Sequence, residues 1–282
     1  MKIFPEGFTI AALAPAGAVS PERISAGKDF LESLGAKVRI MPHAAGKDPE
    51  LPYLSGSDAE RADDLLAAWL DPEVSMIWAI RGGYGSGKLL EKLDWPTLAR
   101  HKKMVAGFSD ITALHWAMTA KDCGTAAALP MFAFLPEMDE FTRESLSCIF
   151  HRRKQKFQLP ALRPGTVKGA PLAGNLTVAA SLCGTPFFPD TRNRILILEE
   201  VREHPYRVDR TLNQLRLAGA FEHCAAVVFG HFTSSGSQEE IMAVLKDLCD
   251  RITCPVFYGF QHGHELSFAS ISADQETEFT SL

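Results

Sequence analysis

Two hydrophobic periods alternate along the first half of the chain. FTIAALAP, AKVRIMP, VSMIWAI and KMVAGFS are short, continuous apolar runs, and each predicts a buried strand. Between them lie segments whose apolar residues recur every three or four positions. SPERISAGKDFLESLG predicts a helix with Ser20 as its cap and Gly35 as its stop. SDAERADDLLAAWLD predicts another, with Ser57 as cap and Glu60 three residues on, the spacing of a capping box. LLEKLD and the stretch from Ile111 add further helices. Strand and helix repeated in this way imply a parallel sheet covered on both faces, a Rossmann-like or flavodoxin-like α/β layer.

The texture changes near Ile149. FHRRKQKFQLPALRPGTVKGA is basic, proline-bearing and weakly periodic, which predicts a linker over residues 151–170. An N-terminal domain of residues 1–150 and a smaller C-terminal α/β domain of residues 171–282 follow. In the latter TVAASLCG, YRVDRTLNQLRLAG and SQEEIMAVLKDLCD read as helices. RILILEEV, AAVVFG, PVFYGF and SFASIS read as strands. No internal repeat or low-complexity tract interrupts the pattern.

Composition narrows the function. The 282 residues are 46% hydrophobic and 22% charged, with a formal net charge of -5. That charge offers no electrostatic grip on nucleic acid or an anionic membrane, so neither is expected as a partner. The opening MKIFPEGFTIAALAPAG is broken by Pro5 and Glu6 and predicts neither a secretory signal nor a spanning segment. Six cysteines are scattered with no C-x-x-C pair, as expected of reduced, buried thiols in a cytoplasmic protein.

Four segments carry candidate chemistry. In IRGGYGSGKLL, Gly82, Gly87 and Lys88 fit the core of a phosphate-binding loop, but Leu89 stands where a nucleotide hydrolase needs a Ser or Thr for magnesium. A nucleotide-binding module is therefore one alternative. In GFSD, Ser109 sits on the predicted turn between a strand and a helix, where a nucleophile would be exposed, with the Asp110 N–H beside it. Read alone, either residue serves equally as a plain helix cap.

In RILILEEV, Glu199 and Glu200 end a buried strand, where parallel sheets place their ligands, and one of the two is expected to face solvent. In QHGHE, His262 and His264 alternate and so point to opposite sides, with Gly263 permitting close approach. An H-x-H pair needs further ligands at supporting spacing to hold zinc; none is evident, so no metal and no cofactor is expected. Ser, Glu and His at strand ends, in that order, compose a hydrolase triad.

These residues resemble the LD-carboxypeptidases, a family of serine peptidases that includes muramoyltetrapeptide carboxypeptidases and microcin-immunity peptidases. The matching segments are YLSGSDAERADDL, IWAIRGGYGSGKLL, GFSDITALHWA, GNLTVAASLCGTPFFPD, LILEEVREHPYRVDRTLNQLRLAG and PVFYGFQHGHE. The resemblance implies Ser109 as nucleophile, Glu199 as triad carboxylate and His264 as general base. It also implies an oxyanion hole from the backbone of Gly83 and Asp110. Arg81, Tyr84 and Asn175 are substrate-binding candidates.

The implied reaction is metal-free hydrolysis of the terminal diamino acid–D-alanine bond of murein tetrapeptides, in cytoplasmic recycling of cell-wall peptidoglycan. The implied assembly is a homodimer, and the active site is expected between the two domains. The alternative within the family is the same chemistry on an aminoacyl-nucleotide. Ala14, Ala16 and the AALPM stretch around Pro130 depart from the family's usual serines and His-Gly-Pro, and the Pro-Leu-Gly turn expected after the histidine is absent.

Overall fold

A computed structural model describes residues 3–282. The first two residues of the N-terminal stretch read above lie outside the described residues. The chain divides into two compact units, Met1–Glu140 and Phe141–Leu282.

In the first unit, β1 (Thr9–Leu13), α1 (Pro21–Ser33), β2 (Lys37–Ile40), α2 (Asp58–Leu70) and β3 (Met76–Ala79) follow the predicted alternation. A 3₁₀ turn over Ser86–Lys92, α3 (Trp95–Arg100), β4 (Met104–Gly107), α4 (Thr112–Ala120) and β5 (Thr125–Ala128) continue it. The strands lie in the order β5-β4-β3-β1-β2 and every pair is parallel. Every residue of β1 and β3 is buried, as their uninterrupted apolar sequences require when helices cover both faces.

Local chemistry sets the helix ends. Ser57 and Glu60 form the reciprocal capping box at the start of α2. Ser20 takes the cap position of α1, but its hydroxyl makes no cap bond to the backbone, and Pro21 opens the helix with one orphan N–H fewer. LLEKLD, expected as a helix, lies largely in the 3₁₀ segment.

The second unit contains α5 (Glu140–Phe150) from its second residue onward, then β6 (Gln155–Leu159), β7 (Ala161–Arg163) and β8 (Thr166–Gly169). The segment read as a linker thus carries three strands. Its charges blunt sheet edges: Lys156 pairs with Glu278 and Lys168 with Glu276. There follow β9 (Pro171–Asn175), α6 (Leu176–Ser181), β10 (Ile195–Val201), α7 (Pro205–Leu217), β11 (Ala226–Thr233), α8 (Gln238–Arg251), β12 (Val256–Phe257), β13 (Ile271–Ser272) and β14 (Thr277–Ser281).

One sheet of this unit has the order β7-β12-β11-β10-β9, parallel except for β7 at its edge. A small sheet, β6-β14-β8, stands apart from it. Of the predicted strand SFASIS only Ile271–Ser272 is extended. The Ala269 N–H and carbonyl are instead committed to Gln261 and His262.

All six cysteines are free; the sulfurs of Cys224 and Cys254 lie 3.5 Å apart. Among the described residues no helix is long and apolar enough to cross a membrane.

Candidate active site

In the first unit the chemistry gathers at the carboxyl ends of the strands. Ser109 follows β4 immediately after Phe108, and its φ of 60° is in the left-handed region that a residue with a Cβ enters only under strain. Such a turn lifts the side chain off the sheet edge and starts a helix behind it. Here a single 3₁₀ turn, Ser109–Ile111, leads directly into α4.

The glycine loop after β3 packs against this turn. A Cβ built on Gly82 would lie 3.1 Å from the Cβ of Ser109 and 3.4 Å from the Asp110 nitrogen, so only glycine lets the loop approach this far. Gly17 in the loop after β1 donates to the Gly82 carbonyl at 2.9 Å. The next residue, Gly83, has φ of 100° and is exposed. Asp110 is buried and ties loop to turn from the other side. Its carboxylate accepts from the Ser86 N–H at 2.8 Å, and its carbonyl accepts from the Ser86 hydroxyl at 2.6 Å. Burial pushes its carboxyl above the usual carboxylate range, and the bonds from Ser86 partly offset this.

Lys88, the residue that suggested a phosphate cradle, forms an ion pair with Asp58 at 3.2 Å. Arg81 is exposed and donates to the Ala18 carbonyl. Tyr84 is 57% exposed and its ring lies 6.0 Å from that of Tyr53.

Arg61 is the residue that sequence reasoning missed. It looks like one more charge on an amphipathic helix, yet it is 1% exposed. Its guanidinium donates to the carbonyls of Pro15, Gly56 and Gly85 and pairs with Asp58. Three loops thus meet on one side chain.

The second unit holds the carboxylates and histidines. Glu199 and Glu200 are 1% and 2% exposed, so the expectation that one of them faces solvent is overturned. The sheet is covered on both faces at this point, and both carboxylates have donors to compensate their burial. Glu200 accepts from the Thr177 N–H at 2.9 Å, from the Thr177 hydroxyl, from its neighbour Val201 and from the Asn175 amide at 2.8 Å. Glu199 accepts from the same amide at 3.2 Å, and its Oε2 lies 2.8 Å from His264 Nδ1. Burial raises the Glu199 carboxyl above its ordinary value, while the imidazole and Asn175 pull the other way.

Asn175, a substrate-binding candidate from sequence, is buried as the cap of α6. It spends its amide on the two carboxylates and its carbonyl on the Val178 N–H.

The two histidines diverge as their alternation predicts. His262 is fully buried, with Nδ1 2.9 Å from the Ala269 carbonyl, and burial lowers its pKa to about 4. His264 is half-buried beside Glu199, whose carboxylate holds its Nδ1. Two glycines set this geometry. A Cβ on Gly263 would lie 3.2 Å from that of His231 and 3.3 Å from Glu199 Oε2; one on Gly230 would overlap the His262 carbonyl oxygen. Among the described residues, no group of three or more His, Cys, Asp or Glu is placed to hold a metal ion.

The structure therefore joins Glu199, His264 and Asn175 in one unit, and Ser109, Asp110 and the loop of Arg81, Gly83 and Tyr84 in the other. A family model described as the LD-carboxypeptidase N-terminal domain matches residues 10–128, and one described as the LD-carboxypeptidase C-terminal domain matches residues 168–277. A putative carboxypeptidase of Streptomyces coelicolor is 34% identical over 92% of this chain and 86% of its own. Among solved structures, a muramoyltetrapeptide carboxypeptidase from Oxalobacter formigenes superimposes with a TM-score of 0.85 at 28% identity, over 97% and 95% of the two chains. A microcin C7 self immunity protein in complex with aspartyl sulfamoyl adenosine gives a TM-score of 0.81 at 25% identity, over 98% and 93%.

Proposed function

Because the chain belongs to the LD-carboxypeptidase family, we propose that it hydrolyses the bond joining the diamino acid to the terminal D-alanine of murein tetrapeptides. Ser109 is the nucleophile in this reading, His264 the general base and Glu199 the carboxylate that orients it. The observation that carries it is the 2.8 Å bond between His264 Nδ1 and the buried Glu199 carboxylate. It fixes the tautomer in which Nε2 accepts a proton.

His264 Nε2 takes the proton of the Ser109 hydroxyl as its oxygen attacks the carbonyl of the last peptide bond. Negative charge then develops on the carbonyl oxygen of the scissile bond, and the backbone N–H groups of Gly83 and Asp110 receive it. Glu199 stabilises the imidazolium. His264 returns the proton to the departing nitrogen, D-alanine leaves, and water taken up through the same histidine hydrolyses the acyl-enzyme. Arg81 and Tyr84, both exposed beside the glycine loop, are the groups for substrate contact. Asn175 acts by holding the carboxylates. The biological setting in this reading is cytoplasmic recycling of wall fragments by a homodimer.

Release of D-alanine from L-Ala-γ-D-Glu-meso-diaminopimelate-D-Ala, measured with chelator present for the wild type and Ser109→Ala, tests this. Release by the wild type alone is expected. Likeness to the microcin immunity protein supports a second reading, cleavage of aminoacyl-nucleotides. Turnover of an aminoacyl sulfamoyl adenosine with no release from the tetrapeptide would favour it.

A further inference from the structure

His231 lies in β11, two residues before its end and next to the Glu199–His264 pair, and has no part in the chemistry above. Its backbone N–H donates to the His262 carbonyl at 2.9 Å, and its Cβ faces Gly263, one residue before the proposed base. The ring itself is unusual. Nδ1 is buried with no hydrogen-bond partner, whereas Nε2 is not among the buried unpaired atoms and makes no hydrogen bond among the described residues. A buried lone pair without a donor is tolerated better than a buried N–H without an acceptor. The proton therefore belongs on Nε2, at the open edge of the ring. Burial also lowers the pKa of this histidine, which keeps the ring neutral and the tautomer defined.

A fixed N–H donor beside a general base is suited to one part of a peptide. The base must reach the nitrogen of the departing residue, and in a carboxypeptidase substrate the free carboxylate is one carbon removed from that nitrogen. We propose that His231 donates from Nε2 to the terminal carboxylate of the leaving amino acid, and so contributes to selection of a free C-terminus. This rests on the reading of His264 as general base. Glu265 is the charged group that acts on the ring. Among the described residues it forms no ion pair and no hydrogen bond, so the Nε2 donor has to offset its repulsion of a carboxylate bound at the ring.

The test compares the tetrapeptide ending in D-alanine with the same peptide ending in D-alaninamide, with full-length enzyme under multiple-turnover conditions and each substrate varied. Wild type is expected to prefer the free acid. His231→Phe keeps the ring volume against Gly263 but removes the donor; it should lower the acid-to-amide ratio of kcat/KM about tenfold or more, chiefly through KM for the acid. His231→Gln, which places an N–H near the position of Nε2, should keep most of the ratio. An unchanged ratio in His231→Phe, or an equal loss on both substrates, overturns the proposal and leaves His231 a packing residue of the Gly263 turn. Failure of the wild type on both peptides would instead sink the assignment of the reaction.

Discussion

Around Ser109 the groups that hold the site are mostly main-chain: a left-handed φ, two glycines in positive φ, and carbonyls tied to Gly17 and Arg61. Around His264 they are side chains, two buried carboxylates sharing one asparagine amide and an imidazole. In the proposed mechanism the nucleophile needs a place and neighbouring donors, which backbone supplies without charge. The base needs a partner for the positive charge it acquires, which only a carboxylate supplies, and a buried carboxylate must in turn be hydrogen-bonded. The first arrangement is therefore sensitive to shape and the second to charge.

Removing Ser109 is the largest break: Ser109→Ala should cost about 10⁴-fold or more in kcat, measured by D-alanine release, with melting nearly unchanged because alanine keeps the Cβ that strains the turn. Next comes the charge half. Glu199→Gln keeps the shape of the side chain but lets the imidazole take the wrong tautomer, and should cost about 10³-fold in kcat with little change in KM.

The shape half is tested by Gly82→Ala, whose new methyl must push on Ser109 and Asp110. An activity loss of about 10²-fold is expected, with a smaller effect on stability. Equal losses of activity and stability would show that the glycine serves only packing.

Acid stability is a separate readout, in which the two units behave alike. Burial lowers His115 and His262 each to about 4, below the ordinary 6.5, so the unfolded chain binds more protons between those values. Stability present at neutral pH should fall as pH drops from about 6.5 to 4, by at most about 3 kcal/mol per histidine. Denaturant titrations across that range check this, and His115→Gln should flatten the slope.

Local signals made much of this readable from sequence. The capping box at Ser57, the apolar strands and the opposite facing of His262 and His264 all depend on neighbours within four residues. What escaped depends on distant partners. β6 and β8 pair with β14, more than a hundred residues away, so the segment looked like a linker. Glu200 is buried because of Thr177 and Asn175, and no periodicity within β10 reveals that. Arg61 follows the same logic, since its acceptors are carbonyls, which every residue has.

Arg61 also bears on how this protein can change. The loops after β1 and β3 and the turn before α2 all terminate hydrogen bonds on one guanidinium. A loop transplanted from a relative into residues 81–87 will seat properly only if it returns a carbonyl to the place now held by Gly85. Variation in the glycine loop is thus inherited as a set with its anchor, whereas exposed side chains such as Tyr53 and Tyr84 can vary without disturbing the loop's course.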